Sequence, residues 1–121
     1  MGSFKPQGWH SVTVRLITDD VSGTVEFLRL VFDAEGEIET DRPTEVRIGD
    51  TRLMISSGGG LREMTRAFLY VYVADTEATH ARAMAWGAEA IEPPSDMPYG
   101  DRRATIRDPW GNIWQIATHR G

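Results

Sequence analysis

The sequence predicts an α+β fold made of two βαβββ modules, and three patterns in the chain indicate it. Two short extended runs flank a turn near the C-terminal end. Alternating polar and apolar residues precede an amphipathic helix, and this strand-helix pattern then occurs a second time. Because two such sheets must protect their edges, we expect a cupped, partly open, eight-stranded mixed sheet, formed within one chain or across a swapped dimer.

Size and composition fit a single domain over residues 1–121. The chain is 40% hydrophobic and 26% charged, which allows a substantial buried core. Its net charge is -5 and its 13 Lys and Arg residues are scattered, whereas binding to nucleic-acid phosphates needs clustered basic residues. We therefore expect no nucleic-acid partner, and an acidic surface favours cationic ligands.

The expected compartment follows from what the chain lacks. No run approaches the roughly 18 apolar residues of a membrane span, so we expect a cytoplasmic protein with no membrane partner. Without cysteine, the chain can form no disulfide, thiolate nucleophile or zinc-thiolate site. The leader Met1-Gly2-Ser3 is assigned no function.

The first module, at about residues 11–57, begins with a run that alternates polar and apolar residues over Ser11–Ile17. Asp19 or Asp20 then supplies the N-cap of a helix that should end near Ala34. The apolar side of the strand should face a helix through Val12, Val14 and Leu16. The apolar stripe of the helix consists of Val21, Val25, Leu28 and Phe32.

The rest of the first module is expected to be extended, with turns at Arg42-Pro43 and Gly49-Asp50. Gly58-Gly59-Gly60 is interpreted as a flexible linker, because no strand-to-helix context with a following Lys supports a phosphate-binding loop. The three predicted strands are Glu35–Thr40, Thr44–Ile48 and Arg52–Ser56.

The second module, at about residues 67–119, repeats this order. Phe68–Val73 predicts its first strand, Asp75 the N-cap of its helix and Gly87 the end of that helix. Pro93–Gly100 is expected to form a long, stiff loop. The helix should present a small-residue face of Ala78, Ala81, Ala85 and Ala88. The last two strands are predicted at Arg103–Arg107 and Ile113–His119.

The turn between those last strands has the sequence Asp108–Asn112, in which Pro109 fixes its φ and Gly111 permits a positive φ. This D-P-x-G-N turn, followed by an alternating strand, resembles the last hairpin of the vicinal-oxygen-chelate superfamily. That superfamily includes glyoxalase I, extradiol dioxygenases and bleomycin-resistance proteins. The resemblance covers about Val12 to His119 and implies a domain of two paired modules.

The resemblance also implies four metal-ligand positions, which correspond here to Thr13, Met54, Phe68 and Gln115. Catalytic divalent cations need imidazole or carboxylate ligands. These four positions offer a hydroxyl, a thioether, a hydrocarbon ring and an amide. We therefore expect no metal ion and no other cofactor.

The three histidines, His10, His80 and His119, share no ligand spacing on one face. We interpret them as surface or structural residues, and His119 is the best remaining candidate for a functional role. The sequence contains no G-x-S-x-G motif, no Ser-His-Asp pattern in a suitable context and no paired-carboxylate signature. We therefore predict no catalytic residue.

Strand parity with the ligand positions predicts which side chains line the concave face: Thr13, Arg15 and Ile17; Phe68, Tyr70 and Tyr72; Ile113, Gln115 and Ala117. Trp110, at the hairpin turn, could cap the mouth of a pocket, and Trp114, of opposite parity, should lie in the core. Alternatively, the aromatic residues are ordinary strand formers that pack in a core or a dimer interface. The candidate ligand-binding residues are Thr13, Arg15, Met54, Phe68, Tyr70, Tyr72, Trp110 and Gln115.

These patterns favour a metal-independent small-molecule-binding protein of the glyoxalase/bleomycin-resistance type. Resemblance to the bleomycin-resistance branch implies a homodimer that sequesters an aromatic or cationic, antibiotic-like ligand. One alternative is a metal-dependent lyase, isomerase or dioxygenase that uses non-standard ligands such as Gln115 and His119. Another is a subunit without a small ligand, whose aromatic face is an oligomer contact.

Overall fold

The computed structural model describes residues 4–121, so the leader Met1-Gly2-Ser3 lies outside the described residues. The chain divides into two compact units, one of residues 4–29 and 33–65 and the other of residues 30–32 and 66–121. The elements in order are β1 (Val14–Thr18), α1 (Val21–Phe32), β2 (Thr44–Ile48), β3 (Thr51–Ser57), β4 (Phe68–Tyr72), α2 (Thr76–Trp86), β5 (Glu89–Asp96), β6 (Asp101–Arg107) and β7 (Ile113–His119).

The predicted α+β class and the two-module organisation are confirmed. The interpretation of residues 1–121 as a single domain stays a prediction. None of the helices in residues 4–121 is long and apolar enough to cross a membrane.

The sheet of the first unit has the strand order β1-β3-β2. β1 runs parallel to β3, with Arg15 opposite Met54, and β2 runs antiparallel to β3. Because successive strand residues point to opposite faces, one face of this sheet carries apolar side chains into the core. The buried residues of these strands include Leu16, Val46, Leu53 and Ile55.

Helix α1 begins where its capping residue predicts. The Asp20 carboxylate accepts a hydrogen bond from the backbone N–H of Gly23, which satisfies one free donor of the first turn. The helix ends at Phe32 because Asp33 adopts a left-handed conformation with φ 57°. The predicted apolar stripe is correct, since Val25, Leu28 and Phe32 are buried and Val21 is half-buried.

Two expectations for the first module are wrong. Glu35–Thr40 forms no strand, and only a single bridge links Glu35 to Arg47, so the described residues contain seven strands rather than eight. Val12 does not face a helix but is 85% exposed. The first strand begins at Val14, opposite Leu53 of β3, and Val12 precedes this pairing.

The second unit contains the sheet β4-β7-β6-β5. β4 is parallel to β7, and the β6-β7 and β5-β6 pairs are antiparallel. The hairpin turn between β6 and β7 is held by the buried Asp108 carboxylate, which accepts hydrogen bonds from backbone and side-chain donors of Asn112 and from Nε1 of Trp114. The predictions of a hairpin here and of a core position for Trp114, which is 1% exposed, are confirmed.

Helix α2 has the predicted Asp75 N-cap and Gly87 C-cap, but a different buried face. Thr76, Thr79 and Ala83 are buried, whereas the predicted alanine face is wrong because Ala81 and Ala85 are exposed and Ala88 lies beyond the helix.

The first half of the loop expected over Pro93–Gly100 is instead strand, because β5 continues through both prolines to Asp96. Residues 97–100 form the turn before β6. Proline cannot donate a ladder hydrogen bond, but β5 is an edge strand with a register shift between Glu92 and Ser95. Edge strands and bulges are the places in a sheet that accept proline.

Candidate functional site

The centre of the candidate site is the carboxylate of Asp101, the first residue of β6. Its side chain is only 1% exposed. Oδ2 accepts hydrogen bonds from the hydroxyls of Tyr70, at 2.6 Å, and Tyr72, at 2.9 Å. Oδ1 lies 2.7 Å from Nδ1 of His119. One buried carboxylate therefore connects three side chains, which we call the Asp101 network.

Sheet register brings these four residues together. Tyr70 and Tyr72 point to one face of β4, since alternate strand residues share a face. β7 lies between β4 and β6, and it places His119 directly opposite Asp101. Gly100, with φ 99°, allows the close approach of the histidine, because a Cβ there would lie 3.3 Å from Cε1 of His119.

The hydrogen bonds keep the negative charge of the network on Asp101. The pKa of Asp101 is lowered, chiefly by the hydrogen bond from Tyr70 and then by that from His119. The pKa of Tyr70 is raised, first by burial and then by its hydrogen bond to Asp101. The pKa of Tyr72 is raised mainly by its hydrogen bond to the same carboxylate. At neutral pH the network is thus an ionised acid bound by two neutral phenols.

A second polar group of residues continues across the same face. Nη1 of Arg103 donates to the hydroxyl of Tyr99 at 3.0 Å, and that hydroxyl lies 3.4 Å from the hydroxyl of Tyr70. Nη2 of Arg103 donates to Oε1 of Glu92, which also accepts from Oγ1 of Thr105. Polar contacts therefore extend from β4 through the β5-β6 turn to the edge strand β5.

The aromatic side chains of β4 face solvent rather than a core. Phe68 is 69% exposed, Tyr72 63% and Tyr70 38%. The Tyr70 and Tyr72 rings meet edge to face, with centroids 5.4 Å apart. The alternative that these rings pack in a core does not hold in this chain. The alternative of an oligomer contact is unaffected.

The other candidate residues of the second module lie at different depths. Gln115 is half-buried between Tyr70 on one side and Thr105 on the other. Trp110 is also half-buried, with its ring 5.7 Å from that of Trp86. Phe68, Tyr70, Tyr72 and Gln115 thus share one sheet face, and Trp110 lies at the hairpin turn. Ala117, expected on the same face, is completely buried beneath it.

The candidate residues of the first module lie on or beside β1 and β3. Thr13 immediately precedes β1 and is half-buried. Met54 is the strand neighbour of Arg15, and Nε of Arg15 donates to Oγ of Ser56 at 3.0 Å.

The donors at the four ligand positions do not fit a catalytic divalent metal. Thr13, Met54, Phe68 and Gln115 offer no imidazole and no carboxylate. Across residues 4–121, the structure contains no group of three or more His, Asp or Glu side chains arranged to hold a metal ion. The metal-dependent alternative would use His119 as a ligand, but in this structure His119 is hydrogen-bonded to Asp101.

Asp101 was absent from the candidates drawn from the sequence, although a signal for it exists. Counting the hairpin register outward from the turn pairs Arg107 with Ile113 and, at the far end, Asp101 with His119. An acid directly opposite a histidine is detectable in this way. The tyrosine partners are not, because β4 is remote in sequence from β6.

Comparison with known proteins identifies relatives of the chain. A model of the Glyoxalase/Bleomycin resistance protein/Dioxygenase superfamily matches residues 10–116. TioX from Micromonospora sp. ML1 is similar in structure, with a TM-score of 0.76 and 26% identity, covering 91% of this chain and 98% of that chain. No curated protein matches the chain.

Two further solved structures resemble the chain in fold alone. One is a glyoxalase/bleomycin resistance protein/dioxygenase family enzyme from Burkholderia phytofirmans PsJN, with a TM-score of 0.73, 18% identity and coverage of 88% and 96%. The other is the fosfomycin resistance protein FosX from Listeria monocytogenes, complexed with Mn(II) and sulfate. It has a TM-score of 0.72, 20% identity and coverage of 93% and 90%.

Proposed function

Because the chain belongs to the glyoxalase/bleomycin resistance protein/dioxygenase superfamily, we propose that it binds a small aromatic, cationic ligand without a metal ion. The proposed site is the β4 face of the second module. The observation that carries the proposal is the buried Asp101 carboxylate, which holds two tyrosines in place on an exposed aromatic surface.

The aromatic part of the ligand is inferred from the exposed rings. Phe68 and Tyr72 are each more than half exposed, on a strand whose other side chains are partly covered. Stacking contributes about 0.5–1.5 kcal/mol per ring pair beyond the burial of area. Tyr70 and Tyr72 are anchored through their hydroxyls, so a ligand would lose little free energy in ordering them.

The positive charge of the ligand is inferred from the network beneath the rings. A tyrosine whose hydroxyl donates a hydrogen bond to a carboxylate keeps an electron-rich ring, and cations bind over such rings with about 0.5–2 kcal/mol. The two arginines on this face are paired, Arg103 with Glu92 and Arg107 with Glu89. The net charge of -5 adds a weak general attraction for cations.

Metal independence is supported by the donor chemistry at Thr13, Met54, Phe68 and Gln115. Elemental analysis of the purified protein should find no stoichiometric Zn, Ni, Fe or Mn, and chelation should leave the melting temperature unchanged. Stoichiometric metal that is lost on chelation together with thermal stability would favour the alternative, a metal-dependent lyase, isomerase or dioxygenase.

The aromatic site can be tested with a panel of planar aromatic cations in calorimetric titrations. Phe68→Ala and Tyr70→Ala should each weaken binding by about tenfold or more, which corresponds to 1.4 kcal/mol. Phe4→Ala is the matched control, since Phe4 is 92% exposed and belongs to no strand of that sheet. Failure of the whole panel to bind, or equal affinity of Phe68→Ala and the wild type, would contradict the proposal.

The biological role proposed on this basis is sequestration of an antibiotic-like compound by a cytoplasmic homodimer. Its support is the family membership together with the exposed aromatic face. Expression in a sensitive bacterial host should then raise resistance to a compound that binds in vitro, and Phe68→Ala should abolish the protection. Protection that persists in Phe68→Ala would show that the resistance does not depend on this site.

A further inference from the structure

The first unit contains a cavity that the proposed function does not use. Its volume is about 410 Å³, within the range of small-molecule sites. It lies among α1, β1, the end of β3 and the segment before β2. The side chains that matter for its chemistry are Arg15, Arg42, Arg62, Glu39, Ser56 and Ser57.

The charge of the cavity is opposite to that of the chain. Three arginines and one glutamate line it, whereas the whole protein carries a net charge of -5. Arg42 is paired with Glu39 at 3.4 Å, so this pair is close to neutral. The charges of Arg15 and Arg62, both of which reach solvent, remain in the lining.

Those two arginines are not neutralised by the protein. In the part of the chain that the structure describes, the guanidinium of Arg62 makes no hydrogen bond or ion pair, and that of Arg15 donates a single hydrogen bond, to the Ser56 hydroxyl at 3.0 Å. A guanidinium carries five N–H donors in a planar fork that matches a carboxylate or phosphate. Both residues therefore have donors available for a ligand.

Other groups in the cavity also favour negative charge. Val21, the first residue of α1, lines it, so the N-terminal end of that helix lies beside the cavity. The first turn of α1 has no acidic residue, although the Asp20 carboxylate caps it at Gly23. The hydroxyls of Ser57 and Thr40 are further donors in the lining.

We propose that this cavity binds the oxyanion group of a small organic phosphate or carboxylate, with Arg15 and Arg62 as its main ligands. Charge-assisted hydrogen bonds from two guanidinium groups are strong enough to hold such a group. The volume leaves room for an organic part beside the anion. The site uses no residue of the Asp101 network, although Arg15 is also among the ligand-binding residues predicted from the sequence.

The test is a titration of the full chain with inorganic phosphate, phenyl phosphate and benzoate at constant ionic strength, in which binding is measured by NMR. Saturable binding of at least one of the three is expected. Arg62→Gln and Arg15→Gln should each weaken it by about tenfold or more. Arg29→Gln removes the same charge from α1 outside the cavity and should change affinity by less than about twofold.

The probes distinguish the two sources of the anion, since preference for phenyl phosphate or for benzoate identifies the head group. Absence of saturable binding by all three would overturn the proposal. Equal weakening by Arg29→Gln would do so too, because it would show a non-specific charge effect. Phe68→Ala should bind the anion normally, which separates this test from that of the aromatic site.

Discussion

The hydroxyl of Tyr70 donates a 2.6 Å hydrogen bond to Oδ2 of Asp101, a carboxylate that is almost completely buried. The two residues belong to β4 and β6, which are separated by β7 in the sheet. An ionised acid so placed needs its hydrogen bonds, because an unpaired buried charge is costly. The contact therefore constrains both the stability of the second module and the chemistry of its exposed face.

Asp101→Asn should lower the melting temperature and make the tyrosines easier to ionise. An amide offers one neutral acceptor where the carboxylate offers two charged oxygens, so the raised pKa values of Tyr70 and Tyr72 should fall towards the ordinary value. Ultraviolet titration measures this change. Asp19→Asn, at an exposed acid, is the control, and identical tyrosine titration in both variants would contradict the network.

The contribution of Asp101 to stability should depend on pH in one direction. Its pKa in the folded protein is below the ordinary value of 3.8, so folding is favoured above that pH and the advantage is lost as the pH falls below it. The difference in melting temperature between wild type and Asp101→Asn should therefore be constant near neutral pH and shrink in acid. A difference that grows with acidification would show the opposite sign.

Asp108→Ala should reduce the free energy of unfolding by about 3 kcal/mol or more, since hydrogen bonds to charged groups contribute about 1.5–3 kcal/mol each. The carboxylate accepts from Asn112 and from Nε1 of Trp114, which is buried. Chemical denaturation measures the loss. Asp108→Asn places an NH₂ group against two N–H donors and should also be destabilising. A loss below about 1 kcal/mol in Asp108→Ala would contradict the hydrogen-bond account.

Gly36→Ala should be much more destabilising than Gly49→Ala. Both glycines have positive φ, but a Cβ at Gly36 would overlap the backbone of Glu45 and Val46, whereas a Cβ at Gly49 meets nothing within 4 Å. Gly49→Ala should cost about 1–2 kcal/mol from its left-handed backbone alone. Gly36→Ala should exceed this by at least about 2 kcal/mol in denaturation, because the overlap adds to the backbone strain. Equal costs would show that the segment after α1 can move away from β2.

A two-fold dimer is expected in solution, because exposed aromatic surface and open sheet edges favour self-association. Sedimentation should give twice the chain mass of 13.5 kDa at micromolar concentration. If the β4 face is the contact, Phe68→Ala should shift the equilibrium to monomer, while Phe4→Ala should not. A monomer across the micromolar range would contradict the expectation.

Local signals in the sequence predicted the elements that depend on near neighbours. The first cap, predicted at Asp19 or Asp20 and found at Asp20, depends on residues within a few positions of it. The same holds for the Asp75 cap, the end of α2 at Gly87 and the hairpin at Asp108–Asn112. The same signals failed where a distant partner decides the structure. Glu35–Thr40 has a suitable composition for a strand, yet only Glu35 finds a partner, in Arg47 of β2.

The proline-rich segment is a second place where a distant part of the chain decides the local structure. Pro93 and Pro94 indicate a loop when the chain is considered alone, but β5 lies at the edge of its sheet, where the missing N–H groups need no partner. Which strand occupies an edge is a property of the whole sheet. Two prolines are compatible with an edge strand as well as with a loop, and no neighbouring residue decides between them.

The class of the fold, its repeat and the alternating aromatic residues of β4 could be predicted from the sequence, because hydrophobic period and turn chemistry act over short distances. The contacts of Tyr70, Tyr72 and His119 with Asp101 depend on the folded sheet and could not be predicted from the sequence. The same is true of the cavity that Arg15 and Arg62 line together. The pairing register of strands that are remote in sequence brings these side chains together. The free energy that selects the register comes from the packing of the whole sheet.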